Sequence, residues 1–174
     1  MYRINKQAFF MAVTVFAIKG VSQEKSKKEV KAEKKLEQQK RIEELVDSKT
    51  FVFVARTALP SGGRAINLTT NPNYVNFYPE LIDGNMPFFG RYFAGGGYGD
   101  TPGLTFKEKP EVFSVVKKKK NFQINAKVKG ESDRYQLSLV VGFEGSSSLT
   151  ITSNKRAAIR YQGTISALEN KTRN

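Results

Sequence analysis

The 174-residue sequence contains no cysteine and no histidine. Without cysteine there is no disulfide framework, so stability must come from a packed core. The same absence removes every thiol nucleophile and any lipidated cysteine anchor. Without histidine, the usual zinc sites and the serine–histidine–aspartate arrangement are excluded. Long apolar runs are scarce too. One stretch, Ala8 to Ile18, is continuous, and it is too short to span a bilayer comfortably. No fixed-period repeat is present.

The chain begins with an export pattern. Arg3 and Lys6 precede that apolar run, Lys19 ends it, and the small residues Gly20 and Ser22 come next. Residues 1–22 therefore read as a secretory signal, with cleavage expected near Gln23. The expected location is periplasmic or secreted, not as a lipoprotein, with no transmembrane segment once the signal is removed.

Residues 23–49 are nearly all Glu, Lys, Gln and Ala, without Gly or Pro. Opposite charges stand three or four apart, as in Glu24/Lys28 and Glu37/Arg41, which favours a solvated helix. Ile42, Leu45 and Val46 close it at helical spacing and can dock on the domain that begins at Thr50. The a/d positions are too polar for a coiled coil to be the preferred reading.

From Thr50 onward the pattern becomes short aromatic and β-branched runs separated by turn signals. Phe51–Ala58, Ala65–Thr70 and Tyr74–Tyr78 read as strands; Leu81–Asn85 leads out of the third. Gly103–Phe106, Val112–Val116, Phe122–Val128, Tyr135–Phe143, Leu149–Thr152 and Arg156–Ile165 complete the set. Phe122, Ile124, Ala126 and Val128 alternate onto one face, as do Tyr135, Leu137, Leu139 and Val141. Eight or nine strands at roughly ten-residue spacing predict an all-β fold, an antiparallel β-sandwich or small β-barrel, over residues 50–166 behind one charged helix. Residues 167–174 form a polar tail.

The net charge of +13 is spread along the chain rather than gathered in one block. The densest run, Lys117–Lys120, offers a site for phosphate or lipopolysaccharide, yet a lysine-rich hairpin tip is ordinarily a solvated turn. Aromatics do not interleave with it, which disfavours nucleic acid.

The segment Met86-Pro87-Phe88-Phe89-Gly90-Arg91-Tyr92-Phe93 runs into a glycine-rich stretch ending at Asp100. Phe88, Phe89, Tyr92, Phe93 and Tyr98 can line a groove for sugar rings or an apolar ligand, with Arg91 and Asp100 as polar anchors. The alternative is that the aromatics plug one end of the sheet while the glycines permit close approach. For catalysis, Asp83 and Asp100 are the one carboxylate pair flanking this segment, as a glycan hydrolase would require. Asp83-Gly84-Asn85 lacks the remaining ligands of a calcium loop. No catalytic residue, metal ligand or cofactor is assigned.

The Met86–Arg91 segment resembles the Leu-Pro-Tyr-Phe-Gly-Arg type segment of domain-of-unknown-function family 4251, a family of exported Bacteroidetes proteins. Arg156-Ala157-Ala158-Ile159-Arg160-Tyr161-Gln162-Gly163 is similar to that family's closing Arg-x-x-Ile-x-Tyr-x-Gly. The opening Phe51–Pro60 with Gly63-Arg64 looks alike as well. The resemblance spans about residues 45–166, with Met86 and Phe88 replacing the family's Leu and Tyr. It implies an exported β domain and supplies no activity. The resulting reading is a non-enzymatic envelope protein binding an unidentified ligand or protein. A carboxylate-dependent glycan hydrolase and a structural, oligomeric envelope protein are the alternatives.

Overall fold

The computed structural model describes residues 26–70, 72–93, 103–130 and 133–168. Helix α1 (Lys27–Ser48) starts at Ser26, whose side chain accepts from the Glu29 N–H while the Glu29 carboxylate accepts from the Ser26 N–H at 2.8 Å. This reciprocal pair satisfies two of the donors that a helix start leaves open. The helix stops at Lys49, which turns left-handed (φ 53°). Its first three turns are exposed on every side, and Ile42 and Val46 are buried.

Ten strands come after it: β1 (Phe51–Pro60), β2 (Ile66–Asn67), β3 (Tyr74–Tyr78), β4 (Leu81–Pro87), β5 (Gly103–Glu108), β6 (Val112–Lys117), β7 (Asn121–Lys129), β8 (Arg134–Gly142), β9 (Ser146–Ser153) and β10 (Ile159–Ser166). They form one antiparallel sheet in the order β5-β4-β3-β1-β10-β9-β8-β7-β6, with β2 paired to β1 alone. Two meanders, β3–β5 and β6–β10, are thus joined through β1. The choice between sandwich and barrel resolves as a single sheet curled into a half-barrel. Side chains cross its interior from each edge strand, with Phe106 of β5 5.4 Å from Tyr135 of β8 and Phe113 of β6 6.5 Å from Phe77 of β3, ring to ring. No strand pairing joins β5 to β6 among the described residues.

The alternation seen in the sequence holds. Phe122, Ile124, Ala126, Val128, Tyr135, Leu137, Leu139 and Val141 are all inside. Each of the larger ones contributes about 1.5–3 kcal/mol by leaving water. Ile42 and Val46 join the same core from α1. The tip joining β8 to β9 lies beneath the helix, where a Cβ on Gly145 would lie 3.1 Å from Ile42 Cδ1.

Two departures from the sequence pattern have physical reasons. Leu81–Pro87 is a full strand although Asp83-Gly84-Asn85 looks like a turn. Gly84 serves there because the Phe106 ring lies across it; a Cβ would come within 2.3 Å of that ring. In β1 a bulge falls between Ala55 and Thr57, opposite Gly163. Beyond Phe53, β3 no longer pairs with β1, and the buried Asn73 side chain accepts from the Ala55 N–H at 2.7 Å instead.

Candidate functional site

β4 ends at Pro87, and the chain then crosses the end of the half-barrel opposite α1. Main-chain bonds hold residues 88–93 against 155–157. The Phe93 N–H donates to the Lys155 carbonyl at 2.7 Å, the Ala157 N–H donates to the Arg91 carbonyl at 2.8 Å, and Tyr92 and Arg156 form an antiparallel bridge.

Arg156 sits at the centre of this junction and is 4% exposed. Its guanidinium carbon lies 4.8 Å from the Tyr92 ring centroid and 5.5 Å from that of Phe88. The two rings meet edge to face at 5.2 Å. Nη1 donates to the Gly103 carbonyl at 2.5 Å, which ties the start of β5 to the same point. A buried cation is tolerated when it is hydrogen-bonded and faces π-systems, and a planar guanidinium satisfies both. Below it, Tyr161 donates its hydroxyl to the Pro87 carbonyl at 2.8 Å. Burial pushes the Tyr161 phenol far above its ordinary value of 10.0, and the nearby Arg156 charge only partly opposes this. The space between Phe88, Leu104, Ile151, Arg156 and Ile159 leaves no room for a water molecule. Gly90 passes so close to Phe88 that a Cβ would come within 2.5 Å of its ring.

The aromatic segment therefore has two sides. Phe88 is buried at 8% exposure and belongs to the core. Phe89, Tyr92 and Phe93 are 39%, 38% and 69% exposed, and Arg91 is exposed beside them. Tyr98 and Asp100 lie outside the described residues. The structure brings Phe88 and Tyr92 together around Arg156, a residue that spacing along the chain left out of the candidate set. The available signal was chemical: Arg156 and Tyr161 are polar residues in a segment whose neighbours are core, and such groups require partners.

The other candidates sit elsewhere. Asp83 lies mid-strand in β4, between Asn76 and Lys107, and its charge adds to the burial that raises the Tyr74 phenol. It is four residues from Pro87, roughly 13 Å along the strand. Lys117 is ion-paired with Glu43, and Lys118 to Lys120 are exposed. A hollow of about 510 Å³ on the sheet's outer side includes Lys120, Glu144, Ser146 and Gln162. The Ser146 hydroxyl donates to the Glu144 carboxylate and holds it below its ordinary 4.5, which favours the charged form and makes it a poor proton donor. No group of three metal-ligating side chains occurs among the described residues. No helix there is long and apolar enough to cross a membrane.

The family model described as a domain of unknown function (DUF4251) matches residues 33–165. A crystal structure of a DUF4251 family protein from Bacteroides eggerthii DSM 20697 superposes with a TM-score of 0.60 at 17% identity. The match covers 75% of this chain and 87% of that one, which establishes a shared fold. No curated protein matches the chain.

Proposed function

This chain belongs to the DUF4251 family, and on that premise we propose that it is an exported, non-enzymatic binding domain of the bacterial envelope. The binding surface is the outer side of residues 89–93. One observation carries the reading: three large aromatics, Phe89, Tyr92 and Phe93, stand exposed on a segment whose other side is fixed by Arg156, Phe88 and Tyr161. Exposed aromatics on rigid backbone lose little entropy on binding and are typical anchors. Arg91 adds an exposed cation at their edge. Such a surface takes sugar rings, apolar ligands or the aromatic patch of a partner protein. Export rests on the Arg3/Lys6 start and the Ala8–Ile18 run; mass spectrometry of the N-terminus in cell fractions tests it, and an uncleaved cytoplasmic chain contradicts it.

Thermal-shift and binding measurements of the full chain against envelope glycans, lipids and peptides test the surface. A saturable ligand should lose about 30-fold or more in affinity on combined Phe89→Ala and Phe93→Ala substitution, at about two or more kcal/mol for the pair. Tyr92 is left intact in that variant because its ring also packs on Arg156. A ligand that binds the folded double variant as well as the wild type places the site elsewhere.

A further inference from the structure

β6 ends the sheet, and its outer flank has no strand partner among the described residues. Sheet edges are ordinarily blunted by charge, proline or a covering element. The far edge carries polar residues along its outward face, Thr105 and Lys107. β6 confines its charges to its ends, at Glu111 and Lys117, and is apolar between them except at Ser114. Val112 and Val116 point outward at 48% and 42% exposure, while Phe113 and Val115 point inward and are only partly buried. An edge strand that is apolar on both faces is unusual for a chain that stays alone.

We propose that β6 pairs antiparallel with β6 of a second copy of this chain, about a two-fold axis at Ser114. The main chain permits it. The Lys118 N–H donates to the Asn121 carbonyl, which marks a hydrogen-bonded position in the β6–β7 register. Bonding alternates along an antiparallel pair, so Val116 and Ser114 turn their polar groups toward β7. Those of Phe113, Val115 and Lys117 then point out of the sheet, ready for a partner.

The side chains select the register. With Ser114 opposite the partner's Ser114, Phe113 exchanges both main-chain bonds with the partner's Val115. Val112 then lies against the partner's Val116, and Glu111, just before the strand where its N–H turns back to the Lys127 carbonyl, comes beside the partner's Lys117. By symmetry each contact occurs twice, as a closed two-fold interface requires. Shifting by two residues sets Val112 against the partner's Ser114 or the partner's Lys118 and loses both matches. Pairing β6 with another copy's β5 would lay valines against Thr105 and Lys107, and would grow chains instead of closing. Lys117 now bonds Glu43, and Glu111 lies 3.5 Å from Arg134; both are solvent-accessible ion pairs that exchange at little cost.

Sedimentation of the full chain from about 1 to 100 µM tests this, a range that brackets weak edge pairing. The mass should move from 19.5 kDa toward its double. Val116→Lys should weaken association about tenfold or more by placing an ammonium against an apolar neighbour at both ends. Glu111→Lys and Lys117→Glu should each weaken self-association, and mixing the two variants should restore a dimer, because both ends then oppose unlike charges. Circular dichroism melting shows that the variants are folded. A monomer throughout the range, a dimer indifferent to Val116→Lys, a mixture that fails to recover, or growth past the dimer would each overturn the proposal.

Discussion

Tyr161 hangs a single hydroxyl inside an apolar core, and the Pro87 carbonyl is its partner. Tyr161→Phe keeps the packing and removes that bond from the part-buried Pro87 carbonyl. A loss of about 1 kcal/mol is expected in denaturant unfolding. The phenol also couples stability to pH. It is neutral when protonated, and its folded pKa is raised above the ordinary 10.0, so above pH 10 the unfolded chain releases a proton that the folded chain keeps. The contribution is therefore complete below pH 10 and declines above it, by about 1.4 kcal/mol per pH unit. Tyr161→Phe should flatten that alkaline decline by about one proton; an unchanged slope contradicts the burial argument. Single residues were also the least legible level in the sequence. Phe88 and Tyr92 look alike there as aromatic candidates, and both rings pack on Arg156, far along the chain; what separates them is that Phe88 also lies among Leu104, Ile151 and Ile159 in the core.

At the scale of elements, composition and periodicity were informative. α1 runs Lys27–Ser48 within the expected charged stretch, and β3 has the expected bounds, Tyr74–Tyr78. The helix start was readable from Ser26 and Glu29, a capping box that charge spacing alone overlooks. β4 was hidden because Asp83-Gly84-Asn85 carries turn chemistry; pairing with β3 on one side and β5 on the other makes it a strand, and the Phe106 ring takes the space a Cβ on Gly84 would need. Gly163 is a similar case. A Cβ at that position would come within 2.0 Å of the Val54 carbonyl oxygen, so glycine is required by β1 passing close alongside β10. The helix carries its own prediction. Its hold on the sheet rests on Ile42 and Val46, 2% and 0% exposed. Val46→Ala should cost about 1–3 kcal/mol, while Leu36→Ala, at an exposed position, should stay within about 0.5 kcal/mol. Equal melting temperatures for the two variants would mean that α1 does not dock.

For the whole molecule, strand count and antiparallel character were legible from turn spacing, but closure was not. Whether a sheet closes, splits or stays open depends on pairings between distant strands, and no local pattern records them. Here ring contacts reach from each edge strand across the interior, α1 covers one end, and the 88–93 segment with 155–157 covers the other. This last segment is divided, with Phe88 locked into the core and Phe89, Tyr92 and Phe93 left exposed. Thermal unfolding of the full chain carrying Phe88→Ala or Phe89→Ala measures that division. Phe88→Ala should cost about 3 kcal/mol and lower the melting temperature by roughly 6–12 °C. Phe89→Ala should stay within about 0.5 kcal/mol of the wild type. Equal losses, or a larger loss at Phe89, would contradict the division and return the whole segment to the core.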